Sequence, residues 1–200
     1  MIHIKLNKIV LAVSIISLLV ISLSLLGSEH FDLLTTAPGI MHTHQYWRWL
    51  SCNFVHFGWA HCLIDVVGFW LVSAALFDQC SLKKFLAILL FCCLAVGVGI
   101  SIISPEINYA GLSGCIHGLF IAGCFYATKF GVWERALVFL IVSGKIITEQ
   151  LPGYDINPMH NFMPVIIAID AHLIGAVAGL VFVALDKIQY KIRLLKSNKQ

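Results

Sequence analysis

Charge is what this chain has least of: Asp, Glu, Lys and Arg make up 12% of its 200 residues, against 60% hydrophobic residues and a mean hydropathy of +0.91. That scarcity excludes a soluble domain built around one buried core and leaves a polytopic membrane protein. The basic residues sit mostly in loops and toward the C-terminus, with no basic patch interleaved with aromatics, so no nucleic-acid surface is expected. The zinc-protease helix pattern H-E-x-x-H is absent. Lys5 and Lys8 precede the first apolar run as in a signal peptide, but Leu25-Leu26-Gly27-Ser28 lacks an A-x-A-type cleavage site and the run is long; a retained anchor is expected. The seven cysteines are odd in number, and Cys92, Cys93, Cys115 and Cys124 lie inside apolar runs, where they read as small hydrophobes rather than a disulfide framework. Cys52 and Cys62 are able to meet on the outer side, although nothing in the sequence requires it.

What is present is a set of six apolar runs, 9–26, 60–77, 85–103, 113–128, 133–151 and 165–185, read as six transmembrane helices of a single membrane domain over residues 1–200. A span needs about 20 residues, with a lower limit near 17, so the fourth is short. With the N-terminus inside, Lys5, Lys8, Lys83, Lys84, Lys129, Arg135, Lys187, Lys191, Arg193, Lys196 and Lys199 fall on the inner face, and only Arg48 and Lys145 fall outside. The positive-inside rule therefore puts both termini in the cytoplasm. The outer side receives a long first loop, from Gly27 to Trp59, and a fifth loop with Pro152-Gly153 and Asn157-Pro158. A loop as long as the first has structure or function of its own, and its Tyr46, Trp47 and Trp49 suit the lipid interface.

The stretch Tyr109-Ala110-Gly111-Leu112-Ser113-Gly114-Cys115-Ile116-His117-Gly118 stands out against this apolar background. It reads as a turn feeding a helix N-terminus with Ser113 at the top. Glycines there let backbone N–H groups approach a reacting atom, and the positive end of the helix dipole favours an oxyanion. Polar side chains at membrane depth are costly, and His61 and Asp65 on the second span, His117 on the fourth and His172 on the sixth all lie in outward halves. Ser113 is sixteen residues before Lys129 and His172 fifteen before Lys187, which places both about 23 Å above the inner charges. His61 and Asp65, seventeen and thirteen residues before Asp78, bracket that level. Gly114 and Gly118, and Gly175 and Gly179, are small-xxx-small pairs that let the fourth and sixth helices pack closely, and His172 shares the glycine face. A serine and an imidazole on closely packed helices are the minimum for an activated nucleophile. Any one of these residues alone more often fills space or bonds a carbonyl; their common depth argues otherwise.

These residues resemble the rhomboid family of intramembrane serine proteases. Gly111-Leu112-Ser113-Gly114 looks like the family's G-x-S-G motif, and Ala171-His172-Leu173-Ile174-Gly175 followed by Gly179 looks like A-H-x-x-G-x-x-x-G. His56 and His61 with Asp65 four residues later resemble H-x-x-x-x-H-x-x-x-N, and Trp47-Arg48 resembles the W-R pair of the first loop. The matches run in order from Tyr46 to Leu185. The resemblance implies a six-helix fold with a Ser113–His172 dyad in a water-filled outer cavity, entered by a non-helical loop. It implies further that Ser113 attacks the carbonyl, that His172 takes and returns the proton, and that His56 with the Ser113 N–H stabilises the oxyanion. No cofactor is implied.

His117, four residues after Ser113, and the small size without an added domain or seventh helix look like the rhombosortase branch. That branch implies membrane-protein substrates carrying a C-terminal Gly-Gly motif, a helix and a basic end. It also implies residence in a bacterial inner membrane with the site facing the periplasm. Position 65 departs from the family, with Asp for Asn: it must act as a neutral acid, which desolvation favours, or turn away toward His61. His61 is read as a structural hydrogen-bonding group. His117 is expected to support His172 by stacking or hydrogen bonding, with the base role as its rival. Lys145 and Glu149 at i,i+4 read as an interfacial ion pair. Two other classes compete. His42, His44, His56, His61, His117 and His172 on one side could ligate haem or a divalent metal, and an inactive relative could bind transmembrane helices without cutting them.

Overall fold

The computed structural model describes residues 7–25, 28–156 and 166–198. Lys5 and Lys199 of the charge count, Leu26 at the end of the first run, Gly27 at the start of the first loop, Asn157-Pro158 of the fifth loop and Val165 at the expected start of the sixth span lie outside the described residues. Among the described residues the regular elements are all helical: α1 Lys8–Ser24, α2 Ser28–Leu34, α3 Ile40–Thr43, α4 Arg48–Ser51, a 3-10 turn Cys52–Phe54, α5 Trp59–Leu76, α6 Leu82–Ile103, α7 Ser113–Tyr126, α8 Val132–Glu149 and α9 Ile169–Ser197. The six expected runs fall on α1 and α5 to α9. Three of these, α5, α6 and α9, are long and apolar enough to cross a membrane; α1 and α7 are shorter apolar helices.

Local chemistry explains the boundaries. Asn7 Oδ1 accepts the Ile9 N–H at 2.9 Å and starts α1, while Ser81 Oγ accepts the Lys84 N–H at 3.3 Å and starts α6 three residues ahead of the expected Phe85. Both are N-caps that satisfy a first-turn donor. Glu134 Oε2 accepts the Gly131 N–H at 2.8 Å at the start of α8. The sixth span is expected over 165–185, but α9 starts at Ile169 and runs to Ser197, because the basic, exposed stretch after Asp186 continues the helix beyond the apolar residues.

The long first loop is a structured cap built from α2, α3, α4 and the 3-10 turn. Arg48 is buried within it, donating through Nη1 to the carbonyls of Asp32 and Thr35. Ser51 Oγ donates to the Leu34 carbonyl at 2.7 Å, and Trp47 Nε1 to the Leu33 carbonyl at 3.1 Å. Asn53 Nδ2 reaches the Cys93 carbonyl on α6 at 3.0 Å, so the cap is tied to the bundle. Cys52 and Cys62 are both free and buried; Cys62 Sγ accepts from Ser24 Oγ instead of meeting Cys52.

At the centre stands α7, which touches α5, α6, α8 and α9. Its packing against α9 is backbone on backbone. A Cβ on Gly175 would lie 1.8 Å from the Gly114 carbonyl oxygen, and one on Gly179 would lie 2.2 Å from that of Gly118. Only glycine permits that approach. Far from Ser113, at the other end of the bundle, Lys84 pairs with Asp186 at 2.8 Å and Lys129 with Asp78 at 3.3 Å.

Candidate active site

The chain turns into α7 through a position that only glycine can fill. Gly111 has φ +134°, and a Cβ there would stand 2.7 Å from His61 Cε1. The extended segment before it is held to the first-loop cap: the Gly111 N–H donates to the Cys52 carbonyl at 3.0 Å, the Tyr109 N–H to Thr36 Oγ1 at 2.7 Å, and the Thr36 N–H to the Tyr109 carbonyl at 3.1 Å. These bonds satisfy a non-helical backbone in an otherwise apolar bundle. The Leu112 N–H then donates to Asp65 Oδ2 at 2.8 Å, and Ser113 is the first residue of α7. Its N–H is one of the first four of the helix, which have no partner within it.

His172, in the first turn of α9, is buried, with Nε2 3.1 Å from Ser113 Oγ. The two residues counted to one height are thus in hydrogen-bonding contact. The other ring nitrogen, Nδ1, is 2.9 Å from Oε2 of Glu149, the last residue of α8, itself only 1% exposed. Glu149 Oε1 accepts from Lys145 Nζ. This corrects the interfacial-pair expectation: Lys145 and Glu149 do pair, but the carboxylate is turned inward because the histidine on α9 offers it a second donor.

His117 stacks on His172 with ring centroids 4.1 Å apart and planes 25° from parallel. Its Nδ1 is 2.8 Å from the Ser113 carbonyl oxygen, which only accepts, so Nδ1 carries the proton. Its Nε2 is 3.1 Å from Lys145 Nζ, which only donates. Both ring nitrogens are therefore engaged away from Ser113 Oγ.

A second cluster lies beside the Gly111 turn. Asp65 Oδ2, besides accepting from Leu112, is 3.0 Å from His56 Nε2 and 3.5 Å from His61 Nε2. That oxygen faces donors from three sides. Of the two expectations for Asp65, the turn toward His61 matches the contacts of Oδ2, with His56 joining it, while Asp65 also lines the cavity. The Nδ1 atoms of His56 and His61 are buried without a hydrogen-bond partner. His42 and His44 are exposed on the cap, with His44 Nδ1 2.9 Å from Tyr46 Oη, and take no part in either cluster.

Each cluster brings together three potential metal ligands, His56, His61 and Asp65 in one and His117, Glu149 and His172 in the other, with ligand atoms within 4.8 Å of one another. In the second, the Lys145 ammonium stands against both His117 and Glu149, and a like charge at that point opposes a cation. Between the clusters opens a cavity of about 710 Å³ lined by Ser113, His172, His117, His61, Lys145 and Phe57, among others. A half-buried serine–imidazole contact at a helix N-terminus, facing a cavity, is suited to nucleophilic attack on a carbonyl.

Sequence comparison agrees with this geometry: the rhomboid-domain profile matches residues 43–188. The chain belongs to the rhomboid family. It is 27% identical over 142 residues to the rhomboid protease GlpG of Yersinia enterocolitica, covering 71% of this chain and 49% of that protein. It has the same identity and coverage with rhomboid protease GlpG of Yersinia pestis. The chain thus spans about half the length of the curated relatives it matches. Within this rhomboid domain, Glu149 is the site residue that the sequence pattern left unassigned. The depth count contained the signal: Glu149 is fourteen residues after Arg135, about 21 Å above it, close to the height of Ser113.

Proposed function

We propose that this rhomboid-family protein is an intramembrane serine protease with Ser113 as nucleophile and His172 as base. The observation that carries the reading is the 3.1 Å contact between Ser113 Oγ and His172 Nε2 on the cavity wall. Ser113 Oγ attacks the scissile carbonyl carbon as its proton passes to His172 Nε2. The C–N bond breaks, the proton goes to the leaving amine, and water repeats the sequence on the acyl-enzyme. The Ser113 N–H faces the developing oxyanion, while His56, the other expected donor, is buried behind Asp65 with its Nε2 3.0 Å from Oδ2.

In this reading residues 1–200 form one membrane domain with α1 and α5 to α9 as six spans and both termini inside. The Lys84–Asp186 and Lys129–Asp78 pairs at the end remote from Ser113 support that orientation. With 14 residues, α7 is about 21 Å long, which supports a serine recessed below the outer surface. The glycine-flanked Ser113 followed by His117 favours a rhombosortase-type enzyme that removes a Gly-Gly, helix and basic tail in a bacterial inner membrane, facing the periplasm. The test is co-expression with a membrane protein bearing such a tail. Cleavage by wild type and none by Ser113→Ala is expected; a tail left intact by the wild type while other transmembrane substrates are cut would reject the substrate class and keep the protease.

A further inference from the structure

We propose that Glu149 is the positioning residue of the site, making the dyad a Ser113–His172–Glu149 triad in which the carboxylate fixes the tautomer of the base. The inference rests on the protease reading and extends it by one residue. Burying a carboxylate among membrane helices is costly unless it is paired and hydrogen-bonded, and the side chain of Glu149 is 2% exposed. Its two oxygens have different partners. Oε1 accepts from the Lys145 ammonium one turn back, which balances the charge, and Oε2 faces His172 Nδ1 at 2.9 Å.

An ionised carboxylate only accepts, so Nδ1 of His172 must carry the proton. Nε2 is then left with its lone pair toward Ser113 Oγ at 3.1 Å, the form a base requires. The opposite tautomer would put N–H on Nε2 and leave nothing to receive the serine proton. During the reaction His172 gains that proton and holds one on each nitrogen; Glu149 stays ionised, opposite the imidazolium, and the proton on Nε2 passes to the leaving amine. His117, stacked on the ring face and fixed by the Ser113 carbonyl and Lys145, restrains the same imidazole in the other dimension.

The geometry makes a prediction that simple packing does not. In Glu149→Gln the Lys145 ammonium, a donor only, draws the amide oxygen to itself and turns the NH₂ toward His172 Nδ1. That forces the wrong tautomer. Removing the ammonium in Lys145→Met frees the amide to turn its oxygen to Nδ1 and restore the right one. The probe is a fluorophosphonate in the intact detergent-solubilised protein, with the maximal labelling rate and the half-saturating concentration measured separately and folding followed by thermal unfolding. Glu149→Gln is expected to lower the maximal rate on the order of 100-fold or more with half-saturation unchanged, since Glu149 does not line the cavity. Lys145→Met/Glu149→Gln is expected to recover about tenfold or more of that loss.

A folded Glu149→Gln labelled within threefold of wild type overturns the inference, as does a double variant no faster than the single. If Glu149→Gln does not fold, Glu149→Asp carries the test. Its shorter arm keeps the charge but cannot span the 2.9 Å contact, so a reduced maximal rate at constant half-saturation supports the triad and a wild-type rate overturns it. Wild type that takes no label at Ser113 removes the protease reading and this inference together, whereas label on wild type with an unaffected Glu149→Gln removes only the inference.

Discussion

Gly175→Ala places the strongest demand on the packing that brings the two site helices together. Its new Cβ would sit 1.8 Å from the Gly114 carbonyl oxygen and 2.6 Å from the carbonyl carbon. Both are backbone atoms, so no rotamer change relieves the clash. Reaching an ordinary contact of about 3.4 Å means moving α9 from α7 by about 1.6 Å, the difference between the two distances. His172 is three residues from Gly175 and would move with it, stretching a 3.1 Å contact beyond hydrogen-bond range. Overpacking of this kind costs about 1–3 kcal/mol, and a misplacement of about 1 Å can lower a rate about 100-fold. Thermal unfolding and fluorophosphonate labelling on the same preparation measure the two effects. Gly144→Ala is the control: nothing lies within 4 Å of its Cβ, so its labelling should stay within about twofold of wild type, with stability equal or up to about 1 kcal/mol higher. A Gly175→Ala protein with wild-type labelling and unfolding temperature would refute the close-packed α7–α9 interface.

The second cluster and the stacked histidine give two more expectations. His117→Tyr should keep measurable cleavage, because a tyrosine ring can cover the His172 face that His117 covers at 4.1 Å; a folded His117→Tyr as inactive as His172→Ala would reverse the roles of the two histidines. Asp65→Asn should retain activity in part, since an amide oxygen can accept the Leu112 N–H but cannot also serve His56 as a carboxylate does. Asp65→Ala, which frees the Gly111 turn, should lose about 10-fold or more in rate, in line with the loss of a buried hydrogen bond to a charged group. Cleavage rates for both in the same detergent decide it, and an alanine variant as active as the asparagine variant would contradict the account.

The sequence made the bundle legible because burial in lipid leaves few places for polar groups and fixes their heights by counting. His172, His61 and Asp65 were found that way, Ser113 by the glycines around it, and the glycine pairs showed which helices approach. Two things were hidden. The first loop was long enough to expect structure of its own, but its elements were not visible because its helices are short, four residues in α3 and α4, and are held by Arg48 and Ser51 bonds to carbonyls rather than by an apolar face. Glu149 was hidden by its neighbour: an i,i+4 lysine explains a carboxylate locally, so the pattern gave no reason to look across to α9. The direction of Asp65 was open for a similar reason, since sequence counts place a residue at a height but do not say which of its neighbours faces it.

The central claim is that Ser113 and His172 act as one unit on a carbonyl. Its most direct measurement is cleavage of a membrane substrate by Ser113→Ala, His172→Ala and the double variant, each checked for folding. The account predicts that each single change abolishes cleavage and that the double is no worse than either, because groups acting together do not lose activity additively. Substantial cleavage by a folded Ser113→Ala protein would contradict it.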